Sequence, residues 1–469
     1  MYSIPPKRGY LILLALVFGA IFLTVLGGIS SYVIIQNRLE ALNTNKSQAL
    51  TLAEAGLEYY HWHLEHFPTD LRNGTGGSGP YNITYNDPES GTGGGSYQLS
   101  IAGTTNCGQL SSVTITSTGH SYDSTISRTL KAKYARPTVA MYSYILNSSV
   151  WAGSDRVING PYHSNGGIRM DGTANATVSS SLSTWSCTSA YGCSSTQTKN
   201  GVFGSGGDQS LWTYPTPQVD FSAIAADFSS LKSYAQNNGG TYFATNGSAV
   251  SSRGYHLIFN GNGTVTVKKV NGTTNINSFT PIDGSSTDDD TVISSETTLG
   301  TYGIYSTCGL IFVEDDVWVE GTIDRKVTLV AADVTHSNVS PNIILSNNIS
   351  YSATDGSVGL TAIAEHNVLI AANSPQNMTL NGVYIAQTGA FGRNLYDCPS
   401  SYEPRGSLTI RGTTVSNLRT GTKWVNGCGS SDAGYQNRTD AFDRQLATDP
   451  PPFTPVTSTD YQFVEWREQ

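Results

Sequence analysis

Tyr10–Ile35 reads YLILLALVFGAIFLTVLGGISSYVII, with nothing more polar than serine and threonine. Lys7-Arg8-Gly9 precedes it, and no further charge appears before Arg38. A run of this length crosses a bilayer core as a helix. Beyond Ile35 the apolar character does not stop at a turn but narrows into a stripe. Leu39, Leu42, Leu50, Ala53, Leu57, Tyr60 and Leu64 keep largely to three- and four-residue steps, with Asn, Glu, Lys, Gln and Ser between them. No proline interrupts until Pro68. The pattern predicts one helix over 10–67, roughly 57 residues and about 85 Å long at about 1.5 Å per residue. Its first part, 10–35, suits lipid, and its second suits packing against a folded head. A cleaved secretory signal would have a shorter apolar core followed by a small-residue cleavage site. A plain single-span anchor, with Lys7 and Arg8 in the cytoplasm and the rest outside, accounts for the span but not for the amphipathic extension.

The leader MYSIPPKRG, the Tyr10–Ile35 run and TLAEAGLEYY (Thr51–Tyr60) together resemble the N-terminus of type IV pilins and pseudopilins. The resemblance implies that residues 1–9 are a leader and that a prepilin peptidase cuts after Gly9, leaving Tyr10 as the new N-terminus. It also implies that the long helix, through Leu14, Leu39, Leu42, Leu50 and Leu57, bundles with other pilin or pseudopilin subunits. Major pilins carry glutamate at the fifth mature position, where this chain has Leu14. In that respect it resembles the minor subunits proposed to cap or initiate a filament. The resemblance covers roughly the first 135 residues, and it implies a small α+β head following the helix.

The chain has 469 residues, enough for two or three domains. Charged residues are 13%, about half the usual quarter, and Gly, Ser, Thr and Asn fill the gap. That composition suits an extracellular β-rich surface protein. A net charge of −9 argues against a general nucleic-acid surface. All six cysteines lie beyond the apolar segment, where an oxidising exterior permits disulfides. Cys187 and Cys193 are close enough for a local loop, and Cys398 and Cys428 bracket a second. Cys107 and Cys308 remain, and their pairing would link two predicted domains. No CxxC or Cys/His cluster supports zinc.

After Pro68, the segments RNGTGGSGP and PESGTGGGS mark loops. Alternation in Tyr97–Ile101, Val113–Ser117 and Ser127–Tyr134 marks strands, so the head is placed at 68–137. From 138 to 450 short strands recur with Asn and Gly at the turns, most densely from Gly309. Starts spaced roughly every 15 to 20 residues without helical periods between them predict a right-handed parallel β-helix; a β-sandwich is the rival and needs hairpin turns. Asn262-Gly263 and Asn271-Gly272 predict a β-ribbon insertion around 254–272. The stretch 215–240 reads as a helical interruption with Phe221, Ile224, Phe228 and Leu231 on one face. A tail strand is expected within 451–469. The fold class is therefore mainly β: a long N-terminal helix, a small head, then a β-helix. The segments NGPYHSNG (Asn159–Gly166), VWVEG (Val317–Gly321), Gly359-Leu360 with AEHN (Ala364–Asn367), and Asp443-Arg444 with Pro450-Pro451-Pro452 resemble a β-helical domain of unknown function found behind pilin-like N-termini in bacterial surface proteins. That resemblance implies architecture and no enzymatic activity.

Chemistry-bearing residues are few. Asp315, Asp316 and Glu320 cluster, with Asp324 following, as carboxylates do on carbohydrate-active β-helices. The competing reading is a charged face over an apolar interior of Ile311, Val313, Val317 and Val319. Asp288-Asp289-Asp290 offers calcium ligands but lacks the Gly and distal Glu of an EF-hand, so a solvated loop is expected and no cofactor is required. His63 and His66 share a helix face, but HExxH is absent. His163, Asn165, Glu365, His366 and Asn367 suit β-helix corners, where Asn satisfies backbone groups. No GxSxG elbow is present. Lys131, Lys133 and Arg136 make a small basic edge, such as blunts a strand. Sequons at Asn73, Asn82, Asn147, Asn175, Asn246, Asn262, Asn271, Asn348 and Asn377 fit a surface location.

The leading expectation is a non-enzymatic, minor-pilin-like surface protein. It would span the inner membrane once before assembly, with its C-terminal domains extracytoplasmic. Its β-helix would present Trp151, Trp185, Trp212, Tyr162, Tyr191 or Tyr396 to a surface glycan or protein ligand. Alternatives are a membrane-tethered polysaccharide lyase or hydrolase and a pseudopilin of secretion or DNA uptake.

Overall fold

The computed structural model describes residues 9–86, 91, 93–122, 126–246, 254–336, 339–398 and 400–469. Residues 1–8 of the expected leader lie outside the described residues, and Gly9 opens helix α1 (Gly9–His66). The protein is mainly β, and its chain divides into two compact units. Met1–Gly103, Val113–Tyr134 and Phe463–Gln469 form the first; Thr104–Ser112 and Ala135–Gln462 form the second. The expected head segment, 68–137, contributes to both.

In the first unit, α1 changes character along its length. Every residue from Tyr10 to Thr44 is exposed. Buried positions then recur at Ala49, Leu52, Ala53, Leu57, Tyr60 and Leu64, a stripe at helical spacing. Leu57 belongs to it, Leu50 is half-buried beside Ala49, and Leu39 and Leu42 stay 48% and 46% exposed. The stripe lies on a sheet ordered β1 (Tyr81–Asn86), β2 (Gly93–Asn106), β3 (Gln109–His120), β4 (Ser127–Ala135) and the C-terminal strand Gln462–Glu468. Alternation along the strands aims Tyr97, Leu99, Val113, Ile115, Leu130 and Ala132 inward. Each fully buried leucine contributes about 1.5–3 kcal/mol by leaving water.

Glycine sets how closely helix and sheet approach. A Cβ on Gly119 would fall 2.5 Å from the Ala53 amide nitrogen and against the Ala49 carbonyl oxygen. Backbone cannot yield as a side chain does, so Gly119→Val should lift α1 from β3. The expected cost is about 2 kcal/mol or more, read as a lower melting temperature of the full-length protein. An unchanged melting temperature would mean that this approach is not tight.

The second unit is built from parallel ladders. One runs Thr241, Ile311, Leu329, Ala362, Tyr384, Thr414, Tyr144, Tyr162, Val178 and Trp212, each paired in parallel with the next. A second runs Tyr255, Val317, Ile343, Val368 and Phe391. A third runs Phe259, Gly321, Ile349, Leu380, Ile410, Asp440, Ile158 and Ala174. The first and third ladders are out of chain order at the same place. There the strands latest in the chain, at Thr414 and Asp440, pair with early ones, at Tyr144 and Ile158. The chain thus enters in the middle of the stack, winds to one end at Trp212, returns through 214–240, and winds back from Thr241 to the middle.

At this seam β5 (Tyr144–Leu146) and β6 (Arg156–Asn159) meet the partners that close the stack. The apolar interior is continuous on each side, from Tyr255 to Tyr435 in one cluster and around Tyr144, Ile158, Tyr162 and Val178 in the other. Arg156 and Asp440, 3% and 2% exposed, lie at the join. Arg156 Nε donates to Asp440 Oδ2 over 2.5 Å, and its guanidinium carbon sits 4.4 Å from the Tyr144 ring centroid. Arg438 adds a two-pronged pair to Asp155, at 2.7 and 3.1 Å.

The helix expected in 215–240 is shorter: α2 spans Phe228–Asn237. Asp220 accepts from the Ser222 and Ala223 amides and holds an earlier turn, and Asp227 caps α2 through the Ser230 amide. The cap, not the apolar spacing, sets the start. The ribbon insertion is longer than the expected 254–272. β7 (Tyr255–Asn260), β8 (Thr264–Phe279) and β9 (Ser286–Gly303) pair antiparallel in turn, while β7 also joins the second ladder.

Candidate functional site

The second ladder has two faces. Tyr255, Leu257, Val317 and Val319 point into the core, so strand alternation sends His256, Trp318 and Glu320 outward. There β8 and β9 lie over them: Val270, Trp318, Ile344 and Ala371 form a small apolar cluster, with Ile293 packed on it. Trp318 Nε1 donates to the Thr291 carbonyl over 2.7 Å. Beside this cluster opens a groove of about 490 Å³, lined along one wall by Thr291 and by Ile293–Glu296, and along the other by His256, Trp318, Glu320, Ser346, Asn347, Asn373 and Pro375.

His256 sits at the groove floor, 8% exposed. Its Nδ1 is 2.8 Å from Glu296 Oε2, and its Nε2 is 3.2 Å from Glu320 Oε1. The second contact is at ion-pair distance, and Nε2 is itself enclosed. Lys268, opposite His256 across β7 and β8, also pairs with Glu296. Burial by itself would lower the His256 pKa, but the two carboxylates outweigh it and hold it above the ordinary 6.5. Glu320 is held below the ordinary 4.5, first by its contact with His256. Glu296 is held below it too: burial raises its pKa, and Lys268 and His256 more than offset that.

These shifts set a pH window. The raised histidine stabilises the fold fully below about pH 6.5 and loses that contribution as pH rises through its folded value. The lowered carboxylates contribute fully above about pH 4.5 and lose it as pH falls through theirs. Amide-exchange protection of β8 and β9 should therefore be greatest between about pH 4.5 and 6.5 and decline above it. In H256Q the decline on the alkaline side should disappear.

Asp315 and Asp316, proposed from sequence with Glu320, do not join it. Asp315 is 2% exposed and accepts from the backbone amides of Asn246 and Asp316. Asp316 Oδ1 accepts from the Asn342 amide at 2.7 Å; Asn342 Oδ1 accepts from the Asn367 amide, and Asn367 Oδ1 from that of Ala390. These side chains form a polar ladder down one corner of the stack and satisfy backbone donors there. Asp324 pairs with its neighbour Arg325. Glu296 and His256 were missed because the groove joins residues 40 positions apart on either side of a hairpin, and no local spacing marks it.

The Asp288–Asp290 stretch is not a solvated loop; it lies in β9. Asp289, 3% exposed, accepts from Asn394 Nδ2 and the Tyr396 hydroxyl at 2.8 and 2.7 Å, and from the Thr291 amide at 2.9 Å. His63 Nε2 pairs with Asp70 at 2.8 Å while His66 Nδ1 meets the Trp62 carbonyl, so the two imidazoles are engaged separately. Among the described residues no group of three or more His, Cys, Asp or Glu side chains is arranged to hold a metal ion. His163 contacts Ser179 and Asn165, Glu365 accepts from the Asp333 amide, and His366 meets Asn367. Lys131 and Lys133 lie on β4 in the first unit, whereas Arg136 lies over Tyr461 in the second.

Of the aromatic residues expected at the surface, Tyr162, Trp185 and Tyr396 are buried. Trp151, Tyr191 and Trp212 are partly exposed. Disulfides join Cys107 to Cys308, Cys187 to Cys193 and Cys398 to Cys428. Cys107 and Cys308 both belong to the second unit.

No family model and no curated protein matches the chain. Among solved structures it is similar to the competence-associated pilin ComZ from Thermus thermophilus, at 12% identity and a TM-score of 0.33, over 91% of this chain and 98% of that one.

Proposed function

We propose that this chain is a minor-pilin-like structural protein of the cell envelope, processed after Gly9 and held by α1 in the inner membrane or in a filament. Its second unit would be a right-handed parallel β-helix presented outside the membrane for surface contact. The observation that carries the reading is the division of α1. Tyr10 to Thr44 is exposed throughout, including Leu11 at 76% and Phe18 at 63%, while the same helix from Ala49 onward is buried on its own sheet. Water does not tolerate so long an apolar surface, and lipid or a bundle of like helices would cover it. Parallel ladders across three strand sets support the β-helix, and the strong bias of parallel crossovers supports its right hand. Use of Asp315 and Asp316 for backbone satisfaction, and the lowered pKa of both groove carboxylates, favour a binding role over hydrolysis, which needs one carboxyl held protonated.

Intact mass and N-terminal sequencing of protein from its native envelope test the reading. A chain beginning at Tyr10 and co-purifying with pilin subunits is the expected result. A chain still beginning at Met1 would overturn processing and leave a single-span anchor.

A further inference from the structure

We propose that the groove between the β8–β9 ribbon and the outer face of the second ladder binds a neutral oligosaccharide. The inference deepens the surface-contact reading and rests on it for its biological setting, but not for its chemistry.

Three observations carry it. The first is size and placement. A groove of about 490 Å³ lies within the usual range for small-molecule sites, about 300–1,000 Å³. Its ladder side is built on successive parallel strands, from Glu320 on one to Ser346 and Asn347 on the next. Neighbouring strands about 4.8 Å apart spread these polar groups along the groove, which suits an extended ligand.

The second is the donor and acceptor set. Carboxylate oxygens of Glu296 and Glu320, held in place by His256 beneath them, accept hydrogen bonds. Asn347 and Asn373 at the mouth offer both donor and acceptor atoms, and Ser346 a hydroxyl. A sugar hydroxyl both donates and accepts, so it can bridge a carboxylate and an asparagine amide at once, and its bond to the carboxylate is the stronger, charge-assisted kind. Ile293 and Pro375 supply apolar surface for the C–H face of a ring.

The third is charge. Two carboxylates face two cations, His256 and Lys268, all in ion-pair contact. A free anion would meet Glu296 and Glu320, and a free cation would meet His256 and Lys268. An uncharged polyhydroxyl ligand meets neither penalty.

The test uses the full-length protein in detergent at pH 6, titrated calorimetrically with cellohexaose, maltohexaose and chitohexaose, and with polygalacturonate as the charged comparison. At least one neutral hexaose should bind saturably, and polygalacturonate should bind more weakly. E320Q should weaken binding roughly tenfold, the loss of one charge-assisted hydrogen bond. Because Glu320 also pairs with His256 and its variant could loosen the ribbon, Asn373→Trp provides the second variant. Asn373 is exposed at the mouth, and tryptophan there should block the groove while leaving the melting temperature unchanged. Binding of none of the three hexaoses, unaltered binding in N373W, or preference for polygalacturonate would each overturn the proposal. Processing at Gly9 is a separate readout, so loss of the filament reading and loss of glycan binding are distinguishable.

Discussion

Asp440→Ala is expected to destabilise the second unit by about 4 kcal/mol, within the range for removing one partner of a buried ion pair. Asp440 Oδ2 is the acceptor for Arg156 Nε, and both side chains are within 4% of complete burial. Without the carboxylate, the guanidinium keeps the Tyr144 ring beside it but loses the anion that balanced its charge, and burial of an uncompensated cation is costly. Removing both charges should cost far less, because an apolar pair of similar volume carries no desolvation penalty. Chemical denaturation of the parent, D440A and D440A/R156M checks this: the double variant should recover most of the loss. A D440A protein within about 1 kcal/mol of the parent would mean that water reaches the seam. The site of damage is specific. Asp440 pairs in register with Ile158, and Arg438 with Arg156, so D440A weakens the contact between the strand at 431–441 and β6. Limited proteolysis should therefore cut D440A near residues 144–165 before it cuts near the second ladder. The ion pair also sits where two apolar clusters would otherwise merge, and a charge pair there tells one strand from its neighbours as pairing partners, since a slipped register would bury both charges apart.

Loss of the Cys107–Cys308 disulfide is expected to have an effect of similar size. Its cysteines are 201 positions apart, and the chain-entropy relation gives about 5 kcal/mol for so long a loop. The Cys187–Cys193 bridge closes a separation of only 6, for which the same relation gives about 2 kcal/mol. Melting of C107S/C308S and C187S/C193S, each measured against the parent without reductant, should rank them in that order. Equal shifts would show that local packing, not loop closure, governs both. Cys107 and Cys308 are buried with Leu310, Phe312 and Val330, so serine there also loses apolar contact, which adds to the larger effect.

The sequence by itself determined the local features. The charge-free Tyr10–Ile35 run and the stripe through Leu57, Tyr60 and Leu64 specify a long helix with two surfaces, because helical spacing is a short-range property. Alternation specifies β3 and β4, and Asn-Gly at 262–263 specifies the turn from β7 to β8, since turn chemistry acts within about four residues. The short parallel strands from Gly309 were legible as strands for the same reason. What only the tertiary structure decided is which strands lie side by side. Parallel partners are joined by crossovers, so their pairing leaves no local mark. Nothing in the residues around Tyr144 shows that Thr414, not a sequence neighbour, lies beside it. The candidate groove was hidden likewise: Glu320 was visible as a carboxylate on a strand, but His256 and Glu296 reach it only when the ribbon folds over the second ladder. Asp289 read as solvated because its run is acidic, and it is buried because Asn394 and Tyr396, about a hundred residues on, supply the hydrogen bonds that burial of a carboxylate requires.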